Sequence, residues 1–583
     1  MKYELYRRNT DFNLSPIQQI LYNRKIEVNK QDSWLNADFK DINDFKSLKN
    51  CEAAANAIIE HCQSKDSNRI TILQDCDCDG IASTAIIYNY LYRIFDISSK
   101  IIIHSGKQHG LNDIDLDDII STTDLLILPD SSSNDYERHK ILKEAGVDIV
   151  IADHHICEKY SKDAIVVNNQ LDDYPNKNFS GAGVIWQVCR CMDDKLNTSG
   201  EAFELLDLCA LGNLGDMMDY RNNEIRGIVN LGLSDIKNKF LKVIINKNDF
   251  SFSKMNGVNY YSMAFYCVPF INAICRSGTD LEKRLTINAF LDDKCELEIQ
   301  SSKRGMKGKK TTVLLEALTT IERVKRRQNK AQDEAMEFFE KQIMEKHLDE
   351  NAIIACICDS DETPPEILGL IANKIQAKYQ HPTLVLREIG TEDGIYLSGS
   401  ARNYSYCPIE DMRQVCEDTG LIDYAQGHSS AFGISIPLKN FRDFIQKTNE
   451  VYREIEFEPT YKVDYIWNEI EANAKTILDI AELTIYGQGV PESKIAVENI
   501  NLDKANVSLL SPDKHPTIKV TLKNGISIMK FKSSPEEFAE FTSGNKLLTL
   551  VGKPSKNEWM GNTSAQIIID DFELTEEEEV WVF

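Results

Sequence analysis

At 583 residues the chain is too long for a single hydrophobic core, so two to four domains are expected. Hydrophobic residues make up 42% of the chain and charged residues 27%, a composition typical of a globular protein rather than a disordered or fibrous one. The net charge of −25 argues against a protein that binds nucleic acid with its whole surface, although it leaves room for a local basic groove.

The chain shows no sign of membrane insertion. Its first residues, MKYELYRRNTDFNLSP, lack the apolar segment of a signal peptide, and no apolar run is long enough to span a bilayer. The fifteen cysteines are not arranged in the CxxC pairs of a zinc ribbon. Reduced, mostly buried thiols in a cytoplasmic protein are therefore expected.

The first half of the chain alternates short apolar runs with helical patterns, which predicts a parallel sheet covered by helices on both faces. The runs predicted as strands are 69–75, 100–106, 124–130, 147–153 and 163–169. Several aspartates lie at or just beyond the ends of these runs. Because the carboxyl ends of parallel strands form the ligand crevice of such a sheet, these aspartates are expected on one rim. They are Asp75, Asp77, Asp79, Asp130 and Asp153.

The motif DCDCDG at residues 75–80 alternates three aspartates with two cysteines. Since successive side chains of a strand point to opposite faces, the three carboxylates tend to share one side. Carboxylates this close repel one another, and their pKa values rise unless a cation neutralises them. On this motif alone a divalent metal site and an exposed acidic turn or helix cap are both open.

Later motifs favour the metal site. IVIADHHIC places His154 and His155 on the same rim as Asp130 of LLILPDSSS, and LCALGNLGDMMDY adds Asp216. Carboxylates with imidazoles suit Mn²⁺ or Mg²⁺ better than a thiolate zinc site does. The ligands suffice for two ions, an arrangement that serves phosphoryl hydrolysis.

The second half has a different organisation. A helical pattern without glycine or proline from about 311 to 345 predicts a connecting helix, and a second α/β pattern follows it. Shorter β-like runs after about 456 predict a small β-barrel of OB type. The acidic run at 574–583 is expected to be a solvated tail, with a peptide that docks on a partner as the alternative.

A basic segment stands out against the acidic chain. Residues 301–330 hold ten lysines and arginines and two acidic residues, among them Lys303, Arg304 and Lys307. Such a run is often a solvated helix face. On so acidic a chain, and beside the predicted crevice, it predicts phosphate binding.

Taken in order, DCDCDG, LPD, ADHH and LGNLGD resemble the four motifs of the DHH phosphoesterase superfamily, and within it those of the RecJ single-strand exonuclease family. Further stretches resemble RecJ proteins: SPIQQILYNRKI, VVNNQLDDYP, FSGAGVIWQV, NEIRGIVNLGL, VPFINAICRSG, GSAR, GHSSAFG and YGQGVPESKIAVENI. The similarity extends over residues 15 to 570.

The resemblance implies an α/β protein with two α/β domains, a DHH domain with a parallel sheet and a DHH-associated domain, joined by a long helix and followed by an OB-like β-barrel. The expected division is an N-terminal lead-in at 1–50, a catalytic domain at 51–310, a connecting helix at 311–345, a substrate-binding domain at 346–455, an OB-like domain at 456–573 and an acidic tail at 574–583.

The family pattern also implies roles for individual residues. The implied metal ligands are Asp77, Asp79, Asp130, His154 and Asp216. Asp75 and Asp153 are expected to ligate or support the metal, and His155 to contact the scissile phosphate or support the attacking hydroxide. Implied substrate contacts are Arg276, Ser400, Arg402, Gly427 and His428. The chain departs from the pattern at Cys76 and Cys78, where an aromatic residue and alanine are usual, and in the two serines after Asp130, where Asn-Gly is usual.

The residues themselves predict phosphodiester hydrolysis with two Mn²⁺ or Mg²⁺ ions. The resemblance implies a 5′-to-3′ exonuclease specific for single-stranded DNA that releases 5′-mononucleotides in DNA repair or recombination. A monomer is expected, without membrane association, and a single-strand-binding protein or a helicase is a candidate partner. Two alternatives are a DHH-type phosphodiesterase for oligoribonucleotides or cyclic dinucleotides and a non-catalytic DHH scaffold in replication. The OB-like domain counts against the first alternative and the complete set of motif ligands against the second.

Overall fold

The computed structural model describes residues 1–7, 14–64, 69–106, 108–171, 173–359, 363–404, 407–455, 457, 460–503 and 505–576. It divides the chain into two units, one of Ala37–Phe457 and one that joins Met1–Asn36 to Glu458–Phe583. The expected lead-in at 1–50 is therefore split between the two units. Among the described residues, no helix has the length and apolar character needed to cross a membrane.

The N-terminal residues belong with the C-terminal unit because of specific contacts. They form strand β1 (Lys2–Leu5) and helices α1 (Pro16–Asn23) and α2 (Val28–Leu35). Strand β1 pairs in parallel with Thr460–Val463. Arg24, just after α1, forms a buried ion pair with Asp464, with 2.7 Å between Nη1 and Oδ1. The Asn23 side chain donates a hydrogen bond of 2.7 Å to the same carboxylate.

The larger unit contains a five-stranded parallel sheet. Its strands are β2 (Ile70–Gln74), β3 (Lys100–Ile103), β4 (Leu125–Pro129), β5 (Asp148–Asp153) and β6 (Ile165–Asn168). Their spatial order is β3-β2-β4-β5-β6, and all neighbouring pairs are parallel. The five predicted strands and the parallel sheet are confirmed. Strands β2 and β4 are buried along their whole length, which explains their uninterrupted apolar sequences.

Helices cover this sheet and continue beyond it. They are α3 (Cys51–Gln63), α4 (Cys78–Phe95), α5 (Leu116–Thr122), α6 (Tyr136–Glu144), α7 (Gly181–Leu196), α8 (Leu206–Gly215), α9 (Asn223–Ser234), α10 (Lys239–Lys247), α11 (Asp249–Lys254), α12 (Tyr260–Tyr266), α13 (Val268–Ser277) and α14 (Asp280–Phe290). Helix α4 is buried over residues 78–91 and packs against β2, α7 and α8. The start of α4 is thereby held at the carboxyl edge of the sheet.

A short hairpin leads into the long helix and the second α/β layer. Its strands are β7 (Glu298–Gln300) and β8 (Lys310–Thr312), and α15 (Val313–Lys346) follows where a connecting helix was predicted at 311–345. The second layer contains β9 (Ile354–Cys358), α16 (Leu368–Tyr379), β10 (Thr383–Thr391), β11 (Gly394–Arg402), α17 (Met412–Asp418), β12 (Tyr424–His428), β13 (Ala431–Pro437) and α18 (Phe441–Val451). Its sheet has the order β12-β13-β11-β10-β9, and only the β9–β10 pair is parallel.

The C-terminal unit is built on a mixed seven-stranded sheet. Its elements are β14 (Thr460–Val463), β15 (Tyr465–Asn468), α19 (Ala474–Ala481), β16 (Ile495–Asn501), β17 (Asn506–Leu510), β18 (Thr517–Thr521), β19 (Ser527–Phe531), α20 (Pro535–Phe541), β20 (Lys546–Trp559) and β21 (Asn562–Glu576). The strand order of that sheet is β15-β16-β20-β21-β19-β18-β17. The acidic tail predicted at 574–583 begins inside β21, and its residues 577–583 lie outside the described residues.

The fifteen cysteines are all buried, and none forms a disulfide, as the sequence predicts. The cysteines of DCDCDG point into the protein interior. The Cys76 sulfur lies 3.0 Å from the Gly106 carbonyl oxygen and 3.1 Å from that of Cys275. Cys78 is fully buried at the start of α4. Replacing the usual aromatic residue and alanine by cysteine therefore adds no thiol to the solvent-exposed side of the motif.

The buried ion pair in the C-terminal unit predicts that replacing Arg24 destabilises the protein more than replacing an exposed arginine does. Arg24 and Asp464 have exposed side-chain fractions of 1% and 0%, so Arg24→Met leaves a buried carboxylate without its cation. We expect this change to lower the free energy of unfolding by about 3–5 kcal/mol. Denaturant unfolding measures the loss.

The matched control is Arg7→Met. Arg7 contacts Glu27 at 3.4 Å, but the two side chains are 30% and 54% exposed. Because solvent screens such a pair, the control is expected to cost less than about 1 kcal/mol. Equal losses in the two variants would contradict the importance of the Arg24–Asp464 pair.

Candidate metal centre

Acidic residues from three strands meet at the carboxyl edge of the parallel sheet. Asp75 directly follows β2, Asp130 directly follows β4, and Asp153 is the last residue of β5. These strands are almost entirely buried, so the polar side chains come where the strands end. The rim expected from the sequence is thus present in the fold.

Helix termini bring further carboxylates to this rim. Asp77 is the N-cap of α4, where its Oδ1 accepts a hydrogen bond of 2.9 Å from a backbone N–H three residues later. Asp79 lies in the first turn of α4, and its oxygens accept hydrogen bonds from the N–H groups of Gly181 and Ala182 at 2.7 and 3.0 Å. Asp216 directly follows α8. Asp77 therefore caps a helix, which is one of the two interpretations that the DCDCDG motif left open. It also lies among the carboxylates of the rim.

His154 lies at the centre of these carboxylates. Its Nε2 is 3.3 Å from Oδ1 of Asp130, 3.4 Å from Oδ2 of Asp216 and 3.9 Å from Oδ2 of Asp79. Four residues from four separate chain segments therefore surround one small volume. Their sequence positions span 138 residues, from 79 to 216 counted inclusively, so only the fold brings them together.

Three overlapping groups of side chains offer potential ligand atoms within 4.8 Å of one another. They are Asp75–Asp77–Asp130, Asp79–His154–Asp216 and Asp130–His154–His155. We call the seven residues of these groups the rim cluster. Because Asp130 and His154 each occur in two groups, the rim cluster can hold two adjacent cations with shared ligands.

Several buried carboxylate oxygens of the rim cluster lack hydrogen bonds from the described residues, which bears on whether a divalent cation fits there. Asp130 is 1% exposed, and neither of its carboxylate oxygens accepts a hydrogen bond from the described residues. Oδ1 of the buried Asp75 likewise accepts no hydrogen bond from the part of the chain that the structure describes. A buried carboxylate in this condition is costly unless a cation or a proton compensates it. Oxygen donors with one or two imidazoles match Mn²⁺ and Mg²⁺, so the residues fit these ions.

Burial and mutual repulsion perturb the carboxyl groups of the rim cluster. Burial, followed by the charge of Asp77, raises the pKa of Asp79 to about 7. Burial, followed by the charges of Asp79 and Asp77, raises the pKa of Asp216 to about 8. The pKa of Asp130 is raised well above its usual value for the same reasons. Without a cation, this site therefore favours protons on its carboxylates.

The two histidines are perturbed in opposite directions. Burial, followed by the neighbouring charge of His155, lowers the pKa of His154 to about 4, so its ring is neutral and can serve as a ligand. Burial opposes charge on His155 as well, but Asp153 outweighs it and raises the pKa of His155 to about 10. Adjacent imidazoles thus provide a neutral ligand and a cation at neutral pH.

Asp153 has the contacts of a positioning residue. Its Oδ1 accepts hydrogen bonds from the backbone N–H of His154 at 2.7 Å and from Nδ1 of His155 at 2.8 Å. Its Oδ2 accepts a hydrogen bond of 3.1 Å from the Ser133 N–H. Both oxygens are occupied, and Asp153 belongs to none of the potential ligand groups. Of the two roles expected for Asp153, the geometry favours support of the histidines.

Two glycines allow helices to approach the rim cluster. A Cβ at Gly181 would lie 2.4 Å from Oδ1 of Asp130, and a Cβ at Gly212 would lie 2.2 Å from Oδ1 of Asp79. Any side chain at either position would collide with a cluster carboxylate. The small-residue runs FSGAG and LGNLG are the sequence signals of this close approach, but sequence reasoning did not assign these glycines to the site.

Two residues of the second layer interact electrostatically with residues of the first. His428, at the end of β12, contributes to the lowered pKa of His154 after burial and His155. Arg402, at the end of β11, has its pKa lowered by burial and then by the charge of Arg276 in the last turn of α13. A Cβ at Gly369 would lie 2.6 Å from Nη2 of Arg402. The predicted phosphate-binding arginines are therefore close to each other.

The remaining candidates for substrate contact lie in strands β11 and β12 and in the turn between β7 and β8, not in the small-residue loops expected from the sequence. Ser400 is in β11, with its Oγ 3.4 Å from the position of a Cβ at Gly369. Gly427 adopts φ +132°, a conformation that disfavours any other residue. Lys303, Arg304 and Lys307 are exposed in the turn between β7 and β8.

The basic turn is anchored on the long helix. Its first residues, Ser301 and Ser302, bind the carboxylate of Glu316 in α15. The Ser301 hydroxyl donates at 2.9 Å and the Ser302 N–H at 2.8 Å. Glu316 is 4% exposed. The lysines and arginine of this turn are thus presented from a fixed base.

Sequence reasoning also missed His109. Its Nδ1 lies 2.7 Å from Oδ2 of Asp75, and it follows strand β3 at the edge where the cluster residues follow β2, β4 and β5. The argument about strand ends does not identify this residue, because His109 comes six residues after the last residue of β3, Ile103.

Comparison with known proteins identifies the family. The DHH family, N-terminal domain, matches residues 69–213, and the RecJ OB domain matches residues 463–571. "Putative SPbeta prophage-derived single-strand DNA-specific exonuclease YorK" from Bacillus subtilis (strain 168) is 32% identical over 582 residues, covering 98% of each chain. "Single-stranded-DNA-specific exonuclease RecJ" of the same organism is 26% identical over 554 residues, which cover 93% of this chain and 65% of that relative.

A solved structure supports the fold assignment. RecJ from Thermus thermophilus, in complex with Mn²⁺, superposes with a TM-score of 0.70 at 18% identity, covering 96% of this chain and 76% of the other. The α/β fold with a C-terminal OB domain is therefore confirmed. With 32% identity to a relative over almost its full length, the chain belongs to the RecJ family of DHH-type single-stranded-DNA exonucleases.

Proposed function

We propose that the chain is a metal-dependent exonuclease that degrades single-stranded DNA from the 5′ end and releases 5′-mononucleotides. The observation that carries the proposal is Asp130, a buried carboxylate that belongs to two potential ligand groups and accepts no hydrogen bond from the described residues. The names of the relatives support single-stranded DNA as the substrate. The 5′ polarity and the mononucleotide product rest on the family resemblance.

The chain supplies ligands for two divalent ions, Mn²⁺ or Mg²⁺. The proposed ligands are Asp77, Asp79, Asp130, His154 and Asp216, with Asp75 completing the group around Asp77 and Asp130. When bound, such ions neutralise charge on the scissile phosphate and activate the attacking water. The fold contributes a buried site in which the carboxylates are already gathered.

His155 is proposed to act on the scissile phosphate. Because Asp153 keeps its ring protonated and holds Nδ1 at 2.8 Å, the other ring nitrogen can donate a hydrogen bond to an anionic oxygen. The neighbouring His154 is neutral and can therefore ligate a cation. The pair thus divides metal binding and phosphate binding between adjacent residues.

Further residues are proposed to hold the strand. Ser400, Arg402, Gly427 and His428 would bind the phosphate near the 5′ end, together with Arg276. Two electrostatic interactions support this proposal, one between His428 and His154 and one between Arg402 and Arg276. The basic turn at 301–309 would attract the backbone farther along the strand. We further propose a cytoplasmic monomer that acts in DNA repair or recombination on strands supplied by a helicase or a single-strand-binding protein.

End-labelled DNA tests the proposed activity. With Mn²⁺, we expect 5′-labelled single strands to release labelled mononucleotide at once and 3′-labelled strands to shorten progressively, while duplex DNA persists. Asp130→Asn should reduce cleavage at least ~100-fold, because loss of an outer partner alone costs about 10–100-fold in metal sites. Gel electrophoresis resolves the products.

The control for this assay is Asp148→Asn. Asp148 is a partly exposed residue whose Oδ1 lies 2.6 Å from Nζ of Lys143, and this variant should cleave like the parent chain. Trimming from the 3′ end would contradict the proposed polarity. Preference for dinucleotides over long strands would support the small-substrate phosphodiesterase instead.

The raised pKa values predict a pH-dependent stability in the presence of a chelator. In the folded chain Asp79 and Asp216 retain protons up to about pH 7 and 8, whereas both lose them near their usual pKa when unfolded. Stability from these groups is therefore lost as the pH rises through 7 to 8. Thermal unfolding at pH 6.5 and pH 8 measures the loss.

Two comparisons make the pH experiment specific. Asp216→Asn should show a smaller fall in melting temperature between pH 6.5 and 8 than the parent chain. Added Mn²⁺ should stabilise the parent more at pH 8, because it competes with protons for the carboxylates. An unchanged fall in the variant would contradict the assignment.

The basic turn predicts a salt-dependent contribution to DNA binding. Combined Lys303→Ala, Arg304→Ala and Lys307→Ala substitutions remove up to three phosphate contacts. We expect weaker binding of long single strands and a log–log salt slope that is shallower by up to about 2, at ~0.7 per contact. Fluorescence anisotropy with the cleavage-deficient Asp130→Asn chain measures both quantities.

The matched control replaces Lys341 and Lys346 by alanine near the other end of α15. These changes remove positive charge from α15, the helix on which the turn is anchored, without altering the turn itself. If they flatten the salt slope as much as the triple substitution does, the turn has no special role in binding.

A further inference from the structure

Asp75 is held asymmetrically at the edge of the rim cluster. Its side chain is 0% exposed, and its Oδ2 lies 2.7 Å from Nδ1 of His109. Its Oδ1 accepts no hydrogen bond from the described residues. Asp75 also belongs to the ligand group with Asp77 and Asp130. One oxygen of Asp75 is therefore occupied by His109, while the other has no hydrogen bond from the described residues.

Asp153 shows what a fully occupied carboxylate looks like on the same rim. Its two oxygens accept hydrogen bonds from backbone N–H groups and from Nδ1 of His155. Asp153 is absent from the potential ligand groups, whereas Asp75 is present in one. Both carboxylates contact an imidazole Nδ1. Asp75 differs from Asp153 because one of its oxygens accepts no hydrogen bond within the described ranges.

The position of His109 is fixed by the residues that follow it. Gly110 adopts φ +68°, and a Cβ there would lie 2.5 Å from Oδ2 of Asp135. The backbone N–H of Leu111 donates a hydrogen bond of 2.8 Å to the same oxygen, and the Leu111 side chain is buried in the core. Asp135 directly precedes α6, so this loop is attached to the segment that also carries Asp130.

We propose that His109 is a positioning residue of the metal site. Its Nδ1–H holds Oδ2 of Asp75, and because a carboxylate is planar, this contact also fixes Oδ1 toward Asp77 and Asp130. The inference rests on the proposed function only in requiring that the rim cluster binds a divalent cation. No contact of His109 with DNA is required.

The expected effect is on metal affinity. Partners that orient a metal ligand by a hydrogen bond typically contribute about 10–100-fold to affinity. Without the His109 contact, the Asp75 side chain can rotate or take a proton. Its carboxylate must then be reoriented or deprotonated before it can bind the cation. Mn²⁺ binding should therefore weaken even in a chain that carries out no catalysis.

Isothermal titration of the full chain with Mn²⁺, without DNA, tests the proposal through His109→Asn and His109→Gln. The asparagine amide nitrogen can take the place of Nδ1, whereas the glutamine amide reaches the place of Nε2 instead. We expect a Kd within ~3-fold of the parent for asparagine and a rise of about 10–100-fold for glutamine. Thermal unfolding with a chelator shows whether each variant is folded.

His61→Gln is the matched control, because His61 contacts Asp148 at 3.3 Å in a similar pair away from the rim cluster. Its Mn²⁺ affinity should equal that of the parent. Equal affinities for the two His109 variants would overturn the proposal, as would slower DNA cleavage by His109→Gln with unchanged Mn²⁺ affinity, since that result indicates substrate contact. A parent chain that binds Mn²⁺ in a His109-dependent way but cleaves no DNA would instead refute the proposed function alone.

Discussion

Buried negative charge at one edge of the parallel sheet is the constraint on which the site depends. Asp75, Asp79 and Asp130 are each at most 1% exposed, and they are packed with two further carboxylates. Two unit charges 4 Å apart repel by about 4 kcal/mol at an effective dielectric constant of 20. An arrangement of this kind persists only if the fold is stable enough to hold it and if cations or protons balance it.

The surrounding elements reduce this repulsion without removing it. The N-terminus of α7 donates two N–H groups to Asp79, and the N-terminus of α4 donates one to Asp77. Asp130 and Ser132 adopt left-handed φ values of +72° and +78°, a conformation that costs about 1–3 kcal/mol each for residues other than glycine. Ser132 does so where the family usually has glycine. The fold thus accepts backbone strain to keep Asp130 directed into the cluster.

The division of roles within the site follows from which oxygens are already occupied. Asp153 orients the two histidines through Oδ1 and accepts the Ser133 N–H with Oδ2, whereas neither oxygen of Asp130 accepts a hydrogen bond from the described residues. The two histidines are separated by their pKa values, which make His154 a neutral candidate ligand and His155 a cation beside it. Motif similarity alone groups these residues together. Hydrogen-bond occupancy and pKa together distinguish the chemical tasks of these residues. The ligand groups share Asp130 and His154, which allows a pair of cations to fit in so small a volume.

Local patterns determined the five strands, their parallel arrangement and the placement of Asp75, Asp130 and Asp153, because burial on both faces requires continuous apolar runs and leaves polar residues only at strand ends. The same reasoning could not find His109 or Gly181, whose roles depend on contacts with Asp75 and Asp130 from distant segments. It also assigned residues 1–50 to one lead-in, since nothing local in the sequence reveals that β1 pairs with β14. Periodicity and burial act over a few residues, so the sequence alone determined the elements and the candidate ligands. Which side chains meet, and which of their oxygens remain unpaired, depends on packing between remote segments, and only the tertiary structure decided it.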